Sequence, residues 1–280
     1  MKQSTSQASR IARFRALHES GCFLLPNPWD KGSAVYLEHL GYSAVATTSA
    51  GFAFSRALPD AVSVIPRAEM IGHIADIVEA TSLPVNADFQ NCYADEPAEV
   101  ATNVALCIAT GVAGLSIEDS NGSESEPLYE FDLAVERVKA ARATVDDSGQ
   151  GVVLTARCEA WLVGVQDPAR VAIERLVAFA DAGADCLYAP GAKNLEDIAA
   201  MVKAVAPKPI NVLISGNNSD LSVKQLEDLG VRRISVGGAL ARVAWGAFMR
   251  SAQNIMQTGT FASFDDAAPF DEIQNLFIDR

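Results

Sequence analysis

The feature of this sequence that most constrains its fold is a repeated alternation of short apolar runs with longer segments of helical periodicity. Eight apolar runs occur, each three to five residues long, and most are continuously apolar. Such runs are typical of parallel strands that are buried on both faces. The predicted strands are Cys22–Leu25, Ala44–Thr47, Val85–Ala87, Gly114–Ile117, Val152–Ala156, Cys186–Tyr188, Ile210–Leu213 and Arg233–Val236.

A segment of helical pattern follows each predicted strand, and several of these segments begin at a proline or end at a glycine, as helices do. Eight strand–helix pairs predict an α/β fold, a closed parallel (β/α)8 TIM barrel. An open doubly wound sheet remains the alternative, because periodicity does not show closure. The predicted helices are Lys31–Leu40, Pro66–Ala80, Pro97–Thr110, Phe131–Thr144, Pro168–Asp181, Leu195–Ala204, Val223–Leu229 and Ala239–Ser251.

The chain has 280 residues, a length that one barrel domain commonly reaches. No low-complexity linker interrupts it, so residues 1–280 are predicted to form a single domain. Residues 259–280 follow the eighth helix as a C-terminal extension with a short helix from Phe270. The barrel does not need this extension, which is expected to cap the barrel or to reach a neighbouring subunit.

The formal net charge of −13 argues against nucleic acids and anionic membranes as partners. It leaves room for a small anionic substrate in a local cationic pocket. No apolar run approaches the ~20 residues that span a bilayer, and the N-terminus lacks a signal-peptide core. A cytoplasmic location is therefore expected. The five cysteines form no C-x-x-C pair, so neither a disulfide framework nor a thiolate zinc site is indicated.

Three acidic residues, Asp60, Asp88 and Glu118, come after neighbouring predicted strands and so approach one rim of the barrel. Carboxylates that face one small space repel each other unless a cation or protons intervene. Hard oxygen ligands without a nearby histidine favour Mg²⁺, with Mn²⁺ possible, over zinc. The alternative is that each acid only caps the helix that follows it.

Other polar residues at the same rim suggest sites for an anion. Arg157 directly follows an apolar strand, and its guanidinium fits a substrate carboxylate or phosphonate; a structural ion pair with Glu118 or Glu159 is the alternative. Ser49 and Gly51 lie in a turn of small residues whose N–H groups would face an oxyanion, unless the turn simply requires glycine. Gly237-Gly238 opens the eighth helix and would hold a phosphate, or merely allow close packing.

At these residues the sequence resembles the isocitrate lyase and phosphoenolpyruvate mutase superfamily over about residues 10–250. The specific features are the TTSAG turn, the carboxylate after strand 3, the IEDS strand and the TAR strand, in this order and spacing. The resemblance implies a barrel whose eighth helix is swapped between the subunits of a homodimer or homotetramer. It also implies Mg²⁺ bound by carboxylates, and bond breaking next to the enolate of a 2-oxo acid.

The resemblance also implies roles for individual residues. Asp88 and Glu118 become metal-site residues that act mostly through water, and Asp60 helps to order the metal or the substrate. The segment Ser49, Ala50 and Gly51 holds the 2-oxo acid, and Arg157 binds a substrate carboxylate or assists at the reacting centre. Asn211 matches a polar catalytic position after strand 7.

The sequence departs from this family in two places. Many members have two aspartates in a D-x-D pair after strand 3, and here the first is Asn86, which replaces an anionic metal ligand by a neutral one. The isocitrate and methylisocitrate lyases carry a Lys-Lys-Cys-Gly-His stretch after strand 4, where this chain reads SNGSESEPLYE. Isocitrate cleavage is therefore not expected, and Asn121 is the only remnant of the corresponding loop of the mutase.

The prediction is a Mg²⁺-dependent enzyme acting on a small 2-oxo or 2-hydroxy acid, a carbon–carbon lyase or decarboxylase first and a phosphonopyruvate-type P–C mutase or hydrolase second. Two other classes stay open. One is a phosphate-binding barrel enzyme that uses Ser215–Asn218 and Gly237-Gly238. The other is a barrel without catalysis that binds a small acid or a partner.

Overall fold

The strands of the protein form one sheet of eight parallel strands in a computed structural model that describes residues 6–216 and 221–278. Their order in the sheet is β1-β8-β7-β6-β5-β4-β3-β2. From β2 to β8 each strand pairs with the strand that follows it in sequence, and the seam of the sheet lies between β1 and β2. The strands are β1 (Phe23–Leu25), β2 (Val45–Ala46), β3 (Val85–Ala87), β4 (Gly114–Glu118), β5 (Val153–Arg157), β6 (Cys186–Tyr188), β7 (Ile210–Leu213) and β8 (Arg233–Ser235).

The seam between β1 and β2 is closed by a hydrogen bond that the N–H of Ala46 donates to the carbonyl oxygen of Pro26 at 3.0 Å. On the other side, β1 pairs in parallel with β8, and Phe23 stands opposite Arg233. The sheet thus curves round to meet its own first strand. The predicted (β/α)8 barrel is confirmed, and the open doubly wound sheet is not what the chain forms.

Helices surround the barrel, and the eight predicted ones are all present. Two more were not predicted: α1 before the first strand and the short α3 after the second. The helices are α1 (Gln7–Leu17), α2 (Lys31–His39), α3 (Ser49–Ser55), α4 (Arg67–Ala80), α5 (Pro97–Ala109), α6 (Phe131–Asp147), α7 (Pro168–Asp181), α8 (Leu195–Val205), α9 (Val223–Asp228), α10 (Ala239–Thr258) and α11 (Phe270–Ile278).

Helix α1 lies across the base of the barrel, where the strands begin. Phe14 is fully buried, and its ring meets the rings of Phe23 and His18 edge to face. A side chain at Gly114, the first residue of β4, would come within 2.7 Å of the Phe14 ring, so the glycine makes room for it. No predicted strand precedes this segment, so the strand–helix pattern does not predict α1. That α1 closes the base of the barrel is seen only in the structure.

The C-terminal part of the chain packs loosely on this barrel. Helix α10 continues past its predicted end at Ser251 to Thr258, yet Ala241 is its only buried residue. Helix α11 begins at Phe270, as predicted, and has no buried residue. Within residues 6–216 and 221–278, no helix is long and apolar enough to cross a membrane. Large apolar side chains stay exposed on α10, namely Val243, Trp245, Phe248, Met249 and Met256.

Candidate active site

A cavity of about 320 Å³ opens at the carboxyl ends of the strands and descends into the barrel. This is the end of a (β/α)8 barrel at which active sites lie. Its wall combines alternate side chains of β7 and β8, single side chains from the ends of β3 and β5, and the loop after β2. The predicted site residues that line it are Ser49, Ala50, Asp60, Asp88, Arg157 and Asn211.

Arg157, the last residue of β5, is the centre of the charged group at this rim. Its Nη1 lies 2.7 Å from Oδ1 of Asp88 and 2.7 Å from Oε1 of Glu118, and its Nε donates to Oε1 of Glu159 at 3.0 Å. Its guanidinium also lies over the ring of Tyr188, 4.8 Å from the centroid. Arg157 thus forms the ion pairs with Glu118 and Glu159 that a structural role requires, and it also lines the cavity, as a role in substrate binding requires.

Three acidic side chains, Asp88, Glu118 and Glu159, surround the single guanidinium of Arg157. Burial raises the pKa of Glu118 well above its usual range; Arg157 opposes this rise, and Glu159 and Asp88 add to it. Burial likewise raises the pKa of Glu159 to about 7 despite the neighbouring Arg157. Burial works against the charge of Arg157 as well, but the surrounding carboxylates outweigh it and raise the pKa of the guanidinium. This rim therefore holds more carboxyl groups than Arg157 keeps ionised.

Asp60 stands at the mouth of the same cavity, in the loop after α3. The residue is exposed as a whole. Loss of water around its carboxyl group, followed by the charge of Asp88, raises the pKa of Asp60, while a hydrogen bond from Ser49 and the charge of Arg157 oppose the rise. The structure therefore brings Asp60, Asp88 and Glu118 to one rim, as the sequence predicts.

The segment after β2 was predicted as a turn of small residues, and it is instead the first turn of α3. Thr48 caps this helix by accepting a hydrogen bond from the N–H of Gly51 at 3.2 Å. The N–H of Ser49 donates to Oδ2 of Asp88 at 2.8 Å. A side chain at Gly51 would come within 2.8 Å of Trp29, so close packing requires glycine here.

Asn211 was predicted to follow strand 7, and it lies within β7 instead, with 2% of its surface exposed. Its Nδ2 donates to Oγ of Ser235 at 2.9 Å, and its Oδ1 accepts from Nε of Arg233 at 2.9 Å. Both contacts are with β8. Asn211 thus belongs to a polar layer of the barrel interior, below the rim.

The glycine pair at the start of α10 is held by Asn27, which follows the neighbouring strand β1. Oδ1 of Asn27 accepts hydrogen bonds from the N–H groups of Val236 and Gly237, at 3.0 Å and 2.8 Å. These two N–H groups are thus engaged, which weakens the phosphate interpretation of Gly237-Gly238. The other part of that interpretation, Ser215–Asn218, lies partly outside the described residues.

Two buried arginines hold the loops that carry the carboxylates. Arg137 of α6 donates to the carbonyl oxygens of Asn91, Ala94 and Asp95 in the loop after β3. Arg175 of α7 donates to Oδ2 of Asp119 at 3.1 Å, next to Glu118. Because these contacts fix backbone on either side of the rim, they position the acids without touching the cavity.

The donor set fits a hard divalent cation, because Asp60, Asp88 and Glu118 offer carboxylate oxygens to a region of excess negative charge. Among the residues that the structure describes, however, no three acidic, histidine or cysteine side chains already stand together as a metal cage. The position of Arg157 between Asp88 and Glu118 accounts for this. A bound cation would therefore keep several waters, as Mg²⁺ commonly does.

Sequence reasoning missed two residues of the site, Tyr188 and Arg233, although both line the cavity. A signal existed for Arg233, since a charged residue inside an otherwise apolar barrel strand needs a reason to be buried. Tyr188 is the last residue of β6 and is an ordinary strand residue in the sequence. Its contact with the guanidinium of Arg157 depends on the packing of β6 beside β5.

Comparisons with known proteins agree with this fold. The model of the phosphoenolpyruvate phosphomutase family matches residues 14–256. A candidate lyase or mutase from Burkholderia cenocepacia is 46% identical, with a TM-score of 0.94 over 97% of both chains. A candidate phosphonomutase from the same organism is 31% identical over 91% of this chain and all of the other, with a TM-score of 0.78. Oxaloacetate decarboxylase from Paraburkholderia xenovorans is 30% identical, over 92% of this chain and 85% of its own.

Proposed function

The chain belongs to the phosphoenolpyruvate phosphomutase family, and we propose that it is a divalent-metal-dependent lyase that breaks a carbon–carbon bond of a small 2-oxo or 2-hydroxy acid. The observation that carries this proposal is the pair of carboxylates, Asp88 and Glu118, that Arg157 holds together at the rim, with Asp88 and Asp60 on the wall of the cavity. The relatives are lyases and mutases, which supports an enzyme.

The metal in this proposal is Mg²⁺, with Mn²⁺ as a substitute, held by Asp88 and Glu118 and ordered by Asp60. Such an ion, when bound, neutralises oxygen atoms of the substrate that gain negative charge as the bond breaks. The crowding of acidic groups supports this assignment, because a cation would offset both the burial that chiefly raises the pKa of Glu118 and the repulsion from Glu159 and Asp88 that adds to it.

The chain's own residues would bind and orient the acid. Arg157 presents a planar guanidinium to a substrate carboxylate, and Tyr188 fixes the plane of that guanidinium from below. The segment Ser49, Ala50 and Gly51 lies beside Asp88, and it would offer the N–H of Ala50 and the hydroxyl of Ser49, because the N–H groups of Ser49 and Gly51 already donate to Asp88 and Thr48. Asn211 connects this rim to the polar layer beneath it.

Decarboxylation is favoured within the lyase class for a chemical reason. Cleavage of a 2-hydroxy acid such as isocitrate requires a base for the hydroxyl group and an acid for the carbanion that forms. The loop after β4 reads SNGSESEPLYE and supplies no cysteine, lysine or histidine for that purpose. Loss of the 3-carboxylate of a 2-oxo diacid as CO2 leaves an enolate and requires no proton removal from a hydroxyl group, and water can supply the proton that the enolate takes up. The similarity to an oxaloacetate decarboxylase supports the same choice.

A homodimer or homotetramer in which α10 packs against a partner subunit is part of this proposal. The exposed Trp245, Phe248 and Met249 support it, because an apolar helix face of this kind is costly in water. Sedimentation equilibrium measures the assembly directly. A monomer at micromolar concentration would contradict this part of the proposal.

The test is turnover of oxaloacetate, phosphonopyruvate and 2-methylisocitrate by the purified protein, in Mg²⁺ and in chelator. We expect Mg²⁺-dependent release of pyruvate from a 2-oxo diacid. The Asp88→Asn variant is the matched control, since it removes one charge and keeps the shape. Turnover of phosphonopyruvate alone would establish the P–C alternative, for which the 31% identical phosphonomutase speaks. Turnover that persists in chelator would contradict the metal site.

A further inference from the structure

Arg233 is a buried cation whose polar contacts are all with neutral groups. It is the first residue of β8, its side chain points into the barrel, and 2% of its surface is exposed. Its Nε donates to Asn211 at 2.9 Å and its Nη2 to Oγ1 of Thr155 at 3.0 Å. Its Nη1 lies 3.3 Å from Nε2 of His18. Burial and the charge of Arg233 lower the pKa of His18 to about 3, so this imidazole is neutral.

Two other buried arginines face carboxylates, whereas the buried Arg137 forms no ion pair among the described residues and instead donates to three backbone carbonyl oxygens. Arg157 faces Asp88, Glu118 and Glu159, and Arg175 faces Asp119. Among the described residues, Arg233 forms no ion pair with an aspartate or glutamate. A buried charge without a counter-charge is costly, and a guanidinium has more N–H donors than the three contacts of Arg233 use. Burial accordingly lowers the pKa of this arginine.

Arg233 also lines the cavity that contains Asp88 and Arg157. Its partner Thr155 lies two residues before Arg157 on β5, a distance of ~6.6 Å along a strand. On the other side of the cavity, Oδ1 of Asn86 is buried and has no hydrogen-bond donor. The cavity therefore continues below the rim into a polar chamber that we call the floor site. The floor site is lined by Asn86, Ser116, Asn211, Arg233 and Ser235, and Thr155 holds Arg233 from behind this lining.

We propose that the floor site binds a second carboxylate of the ligand through Arg233, while the first carboxylate remains at the rim with Arg157. This inference rests on the proposed function and narrows it to small diacids, whose two carboxylates are separated by a distance similar to that between the rim and the floor. The unpaired acceptor of Asn86 would receive a hydroxyl group or a water that accompanies such a ligand.

The test compares two ligands that differ in length, by titration calorimetry in Mg²⁺. Oxalate is short and occupies the rim alone, whereas difluorooxaloacetate also carries a distal carboxylate. We expect Arg233→Met to weaken the binding of difluorooxaloacetate by about tenfold to a hundredfold, as loss of a charge-assisted hydrogen bond does, and to leave the Kd of oxalate unchanged. The unchanged Kd of oxalate also reports that the variant is folded.

Arg242 provides the matched comparison, because this third arginine of the cavity wall is exposed at the mouth and donates to the carbonyl oxygen of Ser215. If Arg242→Met weakens difluorooxaloacetate and Arg233→Met does not, the distal carboxylate lies at the mouth and the floor site is wrong. If chloride stabilises the wild type but not Arg233→Met, while both ligands bind the variant normally, a free anion compensates Arg233 and the proposal is also overturned.

A crystal of the wild type soaked with Mg²⁺ and difluorooxaloacetate decides the matter without any variant. A ligand carboxylate within hydrogen-bond distance of Arg233 supports the floor site, and both carboxylates at the rim refute it. Failure of the proposed function looks different, because the wild type would then bind neither ligand in a Mg²⁺-dependent way.

Discussion

Arg157→Lys is the substitution that best separates the two roles of the central arginine. Lysine keeps a positive charge near Asp88 and Glu118, which share one nitrogen of the guanidinium at 2.7 Å each. It loses the separate contact from Nε to Glu159 at 3.0 Å and the planar stacking on Tyr188. A purely structural ion pair would thus be preserved in part, whereas a bidentate grip on substrate would be lost.

The two effects are told apart by the quantity that each one changes, the free energy of unfolding or the activation barrier. Loss of the hydrogen bond to Glu159 lowers the free energy of unfolding by about 1.5–3 kcal/mol, the range for hydrogen bonds to charged groups. Loss of a contact to the reacting group raises the activation barrier by about 2–4 kcal/mol. The second effect reduces kcat/KM by roughly 30-fold to 900-fold. We expect both effects in Arg157→Lys.

The assay measures kcat/KM for the active 2-oxo acid together with the Tm. Arg175→Lys is the matched control, since Arg175 is also buried against a carboxylate, Asp119, and lies outside the cavity wall. We expect this control to lose Tm with a much smaller loss of kcat/KM. A near-native kcat/KM and an unchanged Tm in Arg157→Lys would refute the assignment of Arg157 to the substrate.

Three further predictions follow from the same structure. Asp88→Ala should abolish metal-dependent turnover while the far-ultraviolet circular dichroism stays native, and full activity of this variant in chelator would contradict the metal site. Isocitrate and 2-methylisocitrate should be poor substrates, and efficient release of glyoxylate or pyruvate from either would overturn that expectation. Burial lowers the pKa of His73, which stacks on Phe52, to about 4. Because the unfolded chain binds this proton more readily, stability should fall by about 2 kcal/mol between pH 7 and pH 5, and His73→Phe should reduce that loss of Tm.

The barrel could be predicted from the sequence because each strand is a short apolar run that can be recognised without its neighbours. Three strands, β3, β6 and β7, have the predicted bounds, and the other five differ by a residue at one or both ends. Such ends depend on hydrogen bonds between strands, which periodicity does not contain. Helix α3 was missed because its first turn is composed of Ser49, Ala50 and Gly51, which resemble a loop until the cap at Thr48 is seen.

The site was predictable at its rim and not below it. Asp88, Glu118 and Arg157 follow or end strands, so chain order alone places them at one end of the barrel. Their mutual contacts depend on the tilt of the strands, and the sequence left open which acid Arg157 would meet. The role of Arg233 depends on the absence of a nearby carboxylate among the described residues. That absence is visible only in the folded structure, because the neighbours of Arg233 come from distant parts of the sequence.

The position of α1 has a kinetic consequence. With Phe14 filling the base of the barrel, a molecule inside it can leave only by the route through which it entered. When a bond is broken there, the fragment nearer the mouth must depart before the deeper one. Product release is then ordered. The deeper fragment leaves last and can rebind the free enzyme, so it should be a competitive inhibitor against substrate, whereas the outer fragment should not.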